Sequence, residues 1–267
     1  MARRVVIALL TLLSLGGTPA LAQVRSVFLE DLTWTEVRDA TRAGKTTIIV
    51  PIGGTEQNGP HMVLGKHNAR VKFLAGKIAT TLGNALVAPV IAYVPEGEVN
   101  PPSAHMRFPG TITVPEDVFE KTLESAARSF HLHGFKDIVF IGDHGGYQKA
   151  MARAAASLNR EWIKTPARAH AIEDYYTAAE KDFTQNLRGK GFTAEEIGTH
   201  AGLADTSLAM AVDPSLVRTD PLKAAPRNKA DGVYGDPRRA SAELGKAGLD
   251  HIVERSVESI RKATARR

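Results

Sequence analysis

Residues 46–52, TTIIVPI, and residues 137–142, DIVFIG, decide the fold of this 267-residue chain. Both are short apolar runs with many β-branched residues, which is typical of strands buried on both faces of a parallel sheet. A segment with helical periodicity follows the first run over residues 68–82, and Gly83 is placed to end it. Because strands alternate with helices in this way, we predict an α/β fold with a mainly parallel sheet.

Further segments continue the same alternation. Residues 85–93 and residues 167–172 are strand candidates, and Pro115 stands where a helix begins. Asn68 is the expected N-cap of the helix after the first strand. No internal repeat or linker interrupts the pattern, so we predict that residues 23–267 form a single domain.

Residues 1–22 have the layout of a secretory signal peptide. Two arginines give a positive start, and residues 5–15 are almost entirely apolar. Ala20-Leu21-Ala22 then forms a small-x-small cleavage signal. The apolar run is shorter than the roughly 20 residues that a membrane span needs. We therefore expect a periplasmic or secreted protein without a membrane anchor after cleavage.

The composition excludes several kinds of site. The chain has no cysteine, so neither a thiolate ligand nor a cysteine nucleophile is available, and any metal must be held by His, Asp, Glu or Asn. The formal net charge is +5, but no basic patch alternates with aromatic residues. We therefore expect a small-molecule substrate and no nucleic-acid partner.

Polar clusters follow the two principal strand candidates. Residues 55–61 (TEQNGPH) and 66–68 (KHN) come after the first, and residues 142–146 (GDHGG) come at the end of the second. A third cluster, residues 199–207 (THAGLADTS), leads into an apolar helical stretch. Since open α/β sheets bind ligands at the carboxyl ends of their strands, we expect these clusters to converge.

Five of the nine histidines lie in glycine-rich segments or loops beside carboxylates or amides: His61, His67, His105, His144 and His200. Neutral imidazoles and carboxylates together suit a divalent ion, which keeps a position open for water in a catalytic site. Loop histidines that only form hydrogen bonds are the other interpretation. Because no H-E-x-x-H spacing occurs, the spacing alone leaves both interpretations open.

Several segments, in the same order, resemble the creatininase (creatinine amidohydrolase) family. Residues 55–61 look like its T-E-Q-H-G-P-H-L-P signature, and residues 108–112 match its F-P-G-T-I segment. Residues 133–146 follow its H-G-F…I-V…H-G-G order, and residues 200–207 resemble H-A-G-x-x-E-T-S. Residues 232–237 are similar to its late G-V-x-G-D-P motif. The resemblance covers nearly all of the chain after the signal peptide.

This resemblance implies a three-layer αβα sandwich and a metal-dependent amidohydrolase. Better-known members of the family bind a pair of divalent ions, commonly zinc or manganese, and hydrolyse cyclic amides or formamides. They commonly assemble as hexamers. The implied reaction is cleavage of a carbon–nitrogen bond in a small amide by metal-activated water, in a homo-oligomer.

The resemblance also implies roles for single residues. It implies these metal ligands: Glu56, His67, His144 and Asp205. It implies that His200 is the catalytic residue, a general acid that protonates the departing nitrogen. Residues expected to orient the ligands or contact the substrate are Asn58, His61, His105, Asp143, Tyr175 and Tyr176.

The chain departs from the family at four positions. Asn58 stands where the family usually has a metal-binding histidine, and His67 stands where it has an aspartate that bridges two ions. Gly146 occupies the place of a glutamate ligand of creatininase, and Asp205 replaces a longer glutamate. Because imidazole does not readily bridge two ions at the same separation, we expect one ion, zinc or manganese, and no firmly held second ion.

Two alternatives remain on the same fold. One is a periplasmic protein that binds a metal or small molecule without turnover, and the other is a lactonase, since a fold does not fix the substrate. A serine hydrolase is disfavoured, because the chain has no G-x-S-x-G motif and Ser207 lies in an apolar helical stretch.

Overall fold

A sheet of four parallel strands runs through the centre of the molecule. The computed structural model describes residues 26–224 and 229–265, so the predicted signal peptide at residues 1–22 lies outside the described residues. The strands are β1 (Thr47–Ile52), β2 (Ala85–Val87), β3 (Asp137–Gly142) and β4 (Arg168–Ala171), in the spatial order β2-β1-β3-β4. Every neighbouring pair is parallel, as the sequence predicts.

Helices cover both faces of this sheet. They are α1 (Trp34–Arg42), α2 (Lys66–Leu82), α3 (Glu116–Leu132), α4 (Gln148–Glu161), α5 (Glu173–Thr177), α6 (Phe183–Gly189), α7 (Ala194–Ile197), α8 (Leu203–Val212), α9 (Thr219–Ala224) and α10 (Ala242–Thr264). Among the described residues, none of these helices combines the length and the apolar character that crossing a membrane requires.

The alternation of side chains along β1 separates two cores. Ile48 and Val50 point to one face, where they pack with residues of α1, α3 and α4. Ile49 points to the other face and packs with residues of α2, α8 and α10. All six residues of β1 are buried, because helices cover both faces. This arrangement confirms the α/β, three-layer αβα sandwich.

The start of α2 differs from the prediction. We expected Asn68 to cap this helix, but the N-cap is Gly65, which has no side chain to form a capping hydrogen bond. Asn68 Oδ1 instead accepts the N–H of Gly54 at 3.0 Å, and Asn68 Nδ2 donates to Thr55 Oγ1 at 3.2 Å. Asn68 therefore ties α2 to the loop after β1, and the first turn of the helix begins with Lys66, beside that loop.

The second strand is also shorter than predicted. Only residues 85–87 of the expected 85–93 form β2. Pro89 has no N–H group and therefore cannot continue the ladder of hydrogen bonds. The chain rejoins β1 briefly at Ile91, whose N–H donates to the carbonyl oxygen of Pro51 at 3.0 Å.

The connections that leave β1 and β3 run to opposite faces of the sheet. Helix α2 follows β1 on one face and leads to β2, whereas α4 follows β3 on the other face and leads to β4. Since β1 and β3 are neighbours, their carboxyl ends flank a crevice at the point where the direction of the connections reverses. Two of the polar clusters of the sequence begin at these two strand ends.

Candidate metal centre and active site

The loop after β1 carries Glu56, whose side chain is fully buried. Asn58 holds this loop, because its Nδ2 donates to the carbonyl oxygens of Glu56 and Val63, each at 2.9 Å. The hydroxyl of Thr111 supports the same loop by accepting the N–H of Gln57 at 3.1 Å. Asn58 therefore shapes the loop that presents Glu56 at the crevice.

The first turn of α2 places His67 between two carboxylates. One ring nitrogen lies 2.7 Å from Glu56 Oε1, and the other lies 2.6 Å from Asp143 Oδ2. Burial and the nearby Lys66 ammonium disfavour a charged ring, but the two carboxylates outweigh them and raise the pKa of His67. His67 therefore links the acid of the β1 loop to the acid at the end of β3.

Two further side chains of α2 complete a buried set of charges. The Lys66 ammonium pairs with Asp205 Oδ2 and lies 3.7 Å from Glu56 Oε1. Arg70 donates from Nη1 to Asp205 Oδ1 at 2.8 Å and from Nε to Asp143 Oδ2 at 2.9 Å. We call this set the charge network, which consists of Glu56, Lys66, His67, Arg70, Asp143 and Asp205.

A second cluster, the Glu–His group, lies on the other side of Glu56. It consists of Glu56, Glu96, His105 and His144, each of which offers one ligand atom, and these atoms all lie within 4.8 Å of one another. Glu56 Oε2 is 3.1 Å from His105 Nε2 and 3.6 Å from His144 Nε2. Glu96 Oε2 is 3.7 Å from His144 Nδ1. These separations approach those of ligands that each lie about 2.0–2.2 Å from one ion.

Three oxygens of the two acids in the Glu–His group lack a hydrogen-bond partner. Both oxygens of Glu96 and Oε2 of Glu56 are buried and have no hydrogen-bond partner among the described residues. Burial and the Glu56 carboxylate raise the pKa of Glu96 to about 9. Burial lowers the pKa of His105, and it lowers the pKa of His144 to about 4, so both rings are neutral near pH 7. Buried carboxylate oxygens without partners, beside neutral imidazoles, fit a divalent ion.

The hydroxyl of Tyr147 fixes the backbone of Asp143 and His144 at the end of β3. Its hydroxyl accepts the backbone N–H groups of Asp143 and His144, both at 3.0 Å. The same hydroxyl donates to the carbonyl oxygen of Gly53 at 2.7 Å, which ties this turn to the loop after β1. As a result, Asp143 enters the charge network while His144 enters the Glu–His group.

His200 lies between the two clusters. Its Nε2–H donates to the backbone carbonyl oxygen of Gln57 at 2.9 Å, and Nδ1 lies 3.6 Å from Glu56 Oε1. Burial and the Lys66 ammonium lower the pKa of His200 to about 3. The ring is therefore neutral, and because Nε2 carries the proton, Nδ1 is a free acceptor. Ala201, the next residue, has a left-handed φ of 55°, a strained conformation of the kind found at functional sites.

Three other residues predicted to support the site occupy different places: His61, Tyr175 and Tyr176. Tyr175 is buried and donates its hydroxyl to Asp143 Oδ1 at 2.7 Å, so it supports the charge network. His61 is buried with Nε2 at 3.0 Å from the hydroxyl of Thr206, away from the Glu–His group. Tyr176 packs its hydroxyl against the glycine turn that follows β3.

A cavity of about 880 Å³ gives access to the Glu–His group. Glu96, His105 and His144 line it, together with Gly146 and the loop over residues 95–100. A side chain at Gly146 would crowd the ring of His144. Glycine at this position therefore leaves room beside the group, and Glu96 brings a carboxylate to it from another loop.

The structure separates the four ligands that the sequence predicts. It places Glu56 and His144 in the Glu–His group, whereas His67 and Asp205 lie in the charge network with charged partners. The role of each of the four as a ligand stays a prediction. Sequence reasoning missed Glu96 entirely, since it lies in a long loop without a motif. It also gave no role to Lys66, although this residue directly precedes His67.

Comparisons with known proteins identify the family of the chain. A family model described as Creatininase: Creatinine amidohydrolase matches residues 30–260. The chain belongs to the creatininase family. It is therefore an enzyme of a hydrolase family, as the sequence predicts.

Individual relatives show how the family varies. The chain is 27% identical over 242 residues to the mycofactocin precursor peptide peptidase of Mycolicibacterium smegmatis, a match that covers 80% of this chain and 84% of that protein. It is 26% identical over 261 residues to the creatinine amidohydrolase of Pseudomonas putida, which covers 89% and 97% of the two proteins. A solved structure of creatininase with Mn has a TM-score of 0.75 at 25% identity, over 90% of this chain and 99% of that one.

Proposed function

We propose that this chain hydrolyses a carbon–nitrogen bond in a small amide, using one divalent ion held by the Glu–His group. The observation that carries the proposal is a set of three buried oxygens, Oε2 of Glu56 and both oxygens of Glu96. They have no hydrogen-bond partner among the described residues, and they lie beside two neutral imidazoles and a cavity. A set of nitrogen and oxygen ligands suits zinc or manganese. A bound ion would polarise the amide carbonyl and lower the pKa of water toward about 7.

Glu56 and Gln57 organise the active site around this group. The two oxygens of Glu56 face different groups: Oε2 belongs to the Glu–His group, and Oε1 faces His67. Gln57 Nε2 lies 3.1 Å from His105 Nδ1, and the backbone carbonyl oxygen of Gln57 accepts the Nε2–H of His200 at 2.9 Å, so one residue positions both rings. The substrate then enters from the cavity, which His105 lines.

His200 moves the proton in the proposed reaction. Because its Nε2–H is fixed on the carbonyl oxygen of Gln57, its free Nδ1 accepts a proton from the attacking water and then delivers this proton to the departing nitrogen. The resemblance to the family implies the second half of this transfer for His200. The hydrogen bond of Nε2 leaves Nδ1 available for the first half as well.

The test is a screen of cyclic amides, formamides, short peptides and lactones, with protein whose metal content has been measured. We expect turnover of an amide that depends on zinc or manganese and is lost on chelation. His200→Ala should lower turnover by about 100-fold or more while leaving the metal content unchanged. His133→Ala, at an exposed histidine, is the matched control.

Each alternative has its own result in this screen. Turnover confined to lactones would identify a lactonase. Protein that holds an ion but turns over no substrate of any class would support a binding protein. Failure to take up zinc or manganese at all would end the proposal, because the Glu–His group would then lack the role assigned to it.

The setting of the enzyme is part of the same proposal. The pattern of residues 1–22 supports export to the periplasm or the outside of the cell, and the family resemblance supports a hexamer. The intact mass of protein recovered from the periplasm or the medium should lack these residues. Sedimentation velocity should give the mass of a hexamer, and a monomer would contradict that part of the proposal.

A further inference from the structure

We propose that the Lys66 ammonium takes the place of a second divalent cation, so that the centre holds one ion beside a cation supplied by the chain itself. The inference rests on the proposed function, in which the Glu–His group holds the ion. It explains why the chain would hold one ion, and it gives a role to Lys66, which takes no part in the proposed reaction.

The two oxygens of Glu56 face two different sides. Oε2 lies 3.1 Å from His105 Nε2 in the Glu–His group. Oε1 lies 3.7 Å from Lys66 Nζ on the opposite side. A carboxylate that bridges two metal ions offers one oxygen to each of them. Glu56 has this arrangement, with an ammonium group on one side.

The second acid near Lys66 is fully engaged by the chain. Asp205 Oδ2 pairs with the Lys66 ammonium and accepts the N–H of Ala201 at 3.1 Å, while Oδ1 accepts from Arg70 at 2.8 Å. The resemblance to the family implied that Asp205 binds metal. Here its oxygens are already matched by positive groups, so a second ion would have to displace a cation that is already paired.

Lys66 is buried, and its charge is paired with carboxylates. Its side chain is only 1% exposed, and lysine is almost never fully buried unless it is paired. Removing one partner from a buried ion pair leaves an uncompensated charge, which is strongly unfavourable. Without Lys66, Asp205 and Glu56 Oε1 would share a buried space that lacks one positive charge.

The neighbouring position supports the same conclusion. His67 stands where the resemblance places an aspartate that bridges two ions. The chain therefore has one carboxylate fewer at position 67 and an ammonium group directly beside it at position 66. Both features lower the demand for a second ion at the same place, and both arise from adjacent residues in the first turn of α2.

The experiment counts the ions bound per chain in the wild type, Lys66→Ala and Lys66→Met. Each protein is saturated with Mn²⁺ or Zn²⁺, and the ions are counted by elemental analysis and by calorimetric titration. We expect one ion in the wild type and two in Lys66→Ala, which removes the ammonium and opens the space. Lys66→Met keeps the space filled without the charge and should hold one ion.

Thermal unfolding gives a second readout that does not depend on activity. In chelator, both variants should unfold at a lower temperature than the wild type. Added Mn²⁺ should restore Lys66→Ala more than Lys66→Met, because only the alanine variant has room for the ion. The double variant K66A/H67D should bind its second ion more tightly than K66A alone.

The outcomes separate this inference from the proposed function. A wild type that takes up no ion contradicts the proposed function. A wild type with one ion, together with Lys66→Ala that also saturates at one, overturns only the inference. A wild type that holds two ions overturns the inference and also the ion count of the proposed function, but not the proposed reaction. The inference is also overturned if Lys66→Ala stays insoluble at every ion concentration although Lys66→Met folds. If neither variant folds, exclusion of a second ion from the saturated wild type supports the inference.

Discussion

The two clusters on either side of Glu56 contain similar residues, but the carboxyl oxygens of one cluster are paired with positive groups and those of the other are not. In the charge network, the carboxylates of Asp143 and Asp205 are matched by Arg70 and by other positive groups of α2. In the Glu–His group, buried oxygens of Glu56 and Glu96 have no hydrogen-bond partner among the described residues. A satisfied set of buried charges holds a structure together, whereas an unsatisfied one indicates a missing ligand. The comparison therefore assigns stability to one side of Glu56 and chemistry to the other.

Glu56→Gln should have the largest effect, because this residue belongs to both clusters. Loss of its charge removes one of the two carboxylate partners of Lys66 and one of those of His67, and breaking a buried pair costs about 3–5 kcal/mol. The same substitution weakens the ion site, so turnover and metal content should fall together. Denaturant unfolding and elemental analysis measure the two effects. Glu254→Gln, at an exposed glutamate of α10, is the control, and a stable Glu56→Gln variant that keeps its ion would contradict the comparison.

Arg70→Met should affect the charge network alone. Asp143 and Asp205 lose a shared partner, and the free energy of unfolding should fall by about 3–5 kcal/mol. The affinity for the ion should change little, since Arg70 is absent from the Glu–His group.

Arg153→Met supplies the matched control for this prediction. Arg153 pairs with Glu116 and Glu120 at the surface, where such pairs contribute little to stability. If Arg70→Met lost the ion without losing stability, the assignment of the two clusters would have to be reversed.

Glu96→Gln should affect the Glu–His group alone. An amide cannot supply the charge that the ion requires, so the affinity for the ion should fall by about 100-fold or more, beyond the 10–100-fold typical of residues that only support ligands. The ion-free variant should be at least as stable as the ion-free wild type, because it no longer buries a carboxyl group beside Glu56. Calorimetric titration and unfolding in chelator measure the two effects. A large loss of stability in chelator would show that Glu96 is structural.

The difference between the clusters also explains what the sequence could predict. Residues 46–52 and 137–142 specified two strands because their apolar pattern is local, and the strand ends located Glu56 and His144 near one crevice. Glu96 could not be found in this way, because its loop has no periodicity and reaches the group only in the folded chain. Asn68 misled the prediction, since its side chain bonds to a loop outside its own helix.

The roles of Lys66 and Arg70 were not predicted from the sequence, and Lys66 lies before the predicted start of the helix. Their spacing of four residues places both side chains on one face of α2. The sequence does not show that this face meets Asp143 and Asp205, which come from the end of β3 and from α8. Ion pairs between distant segments depend on how the layers pack, and a single sequence contains no local signal for them.

Tyr147→Phe should have the smallest effect, and it tests how the two clusters are kept apart. The tyrosine hydroxyl accepts the N–H groups of Asp143 and His144. Its loss leaves the N–H of His144 without this acceptor, at a cost of about 1–3 kcal/mol, whereas the N–H of Asp143 keeps the carbonyl oxygen of Ile52 at 3.0 Å. We expect partial loss of turnover, because His144 is then held less firmly, while one ion per chain is retained. Unfolding, metal analysis and amide turnover measured on one preparation distinguish this positioning role from a ligand role. Complete loss of the ion would contradict it, because the hydroxyl acts on His144 only through the backbone of the turn.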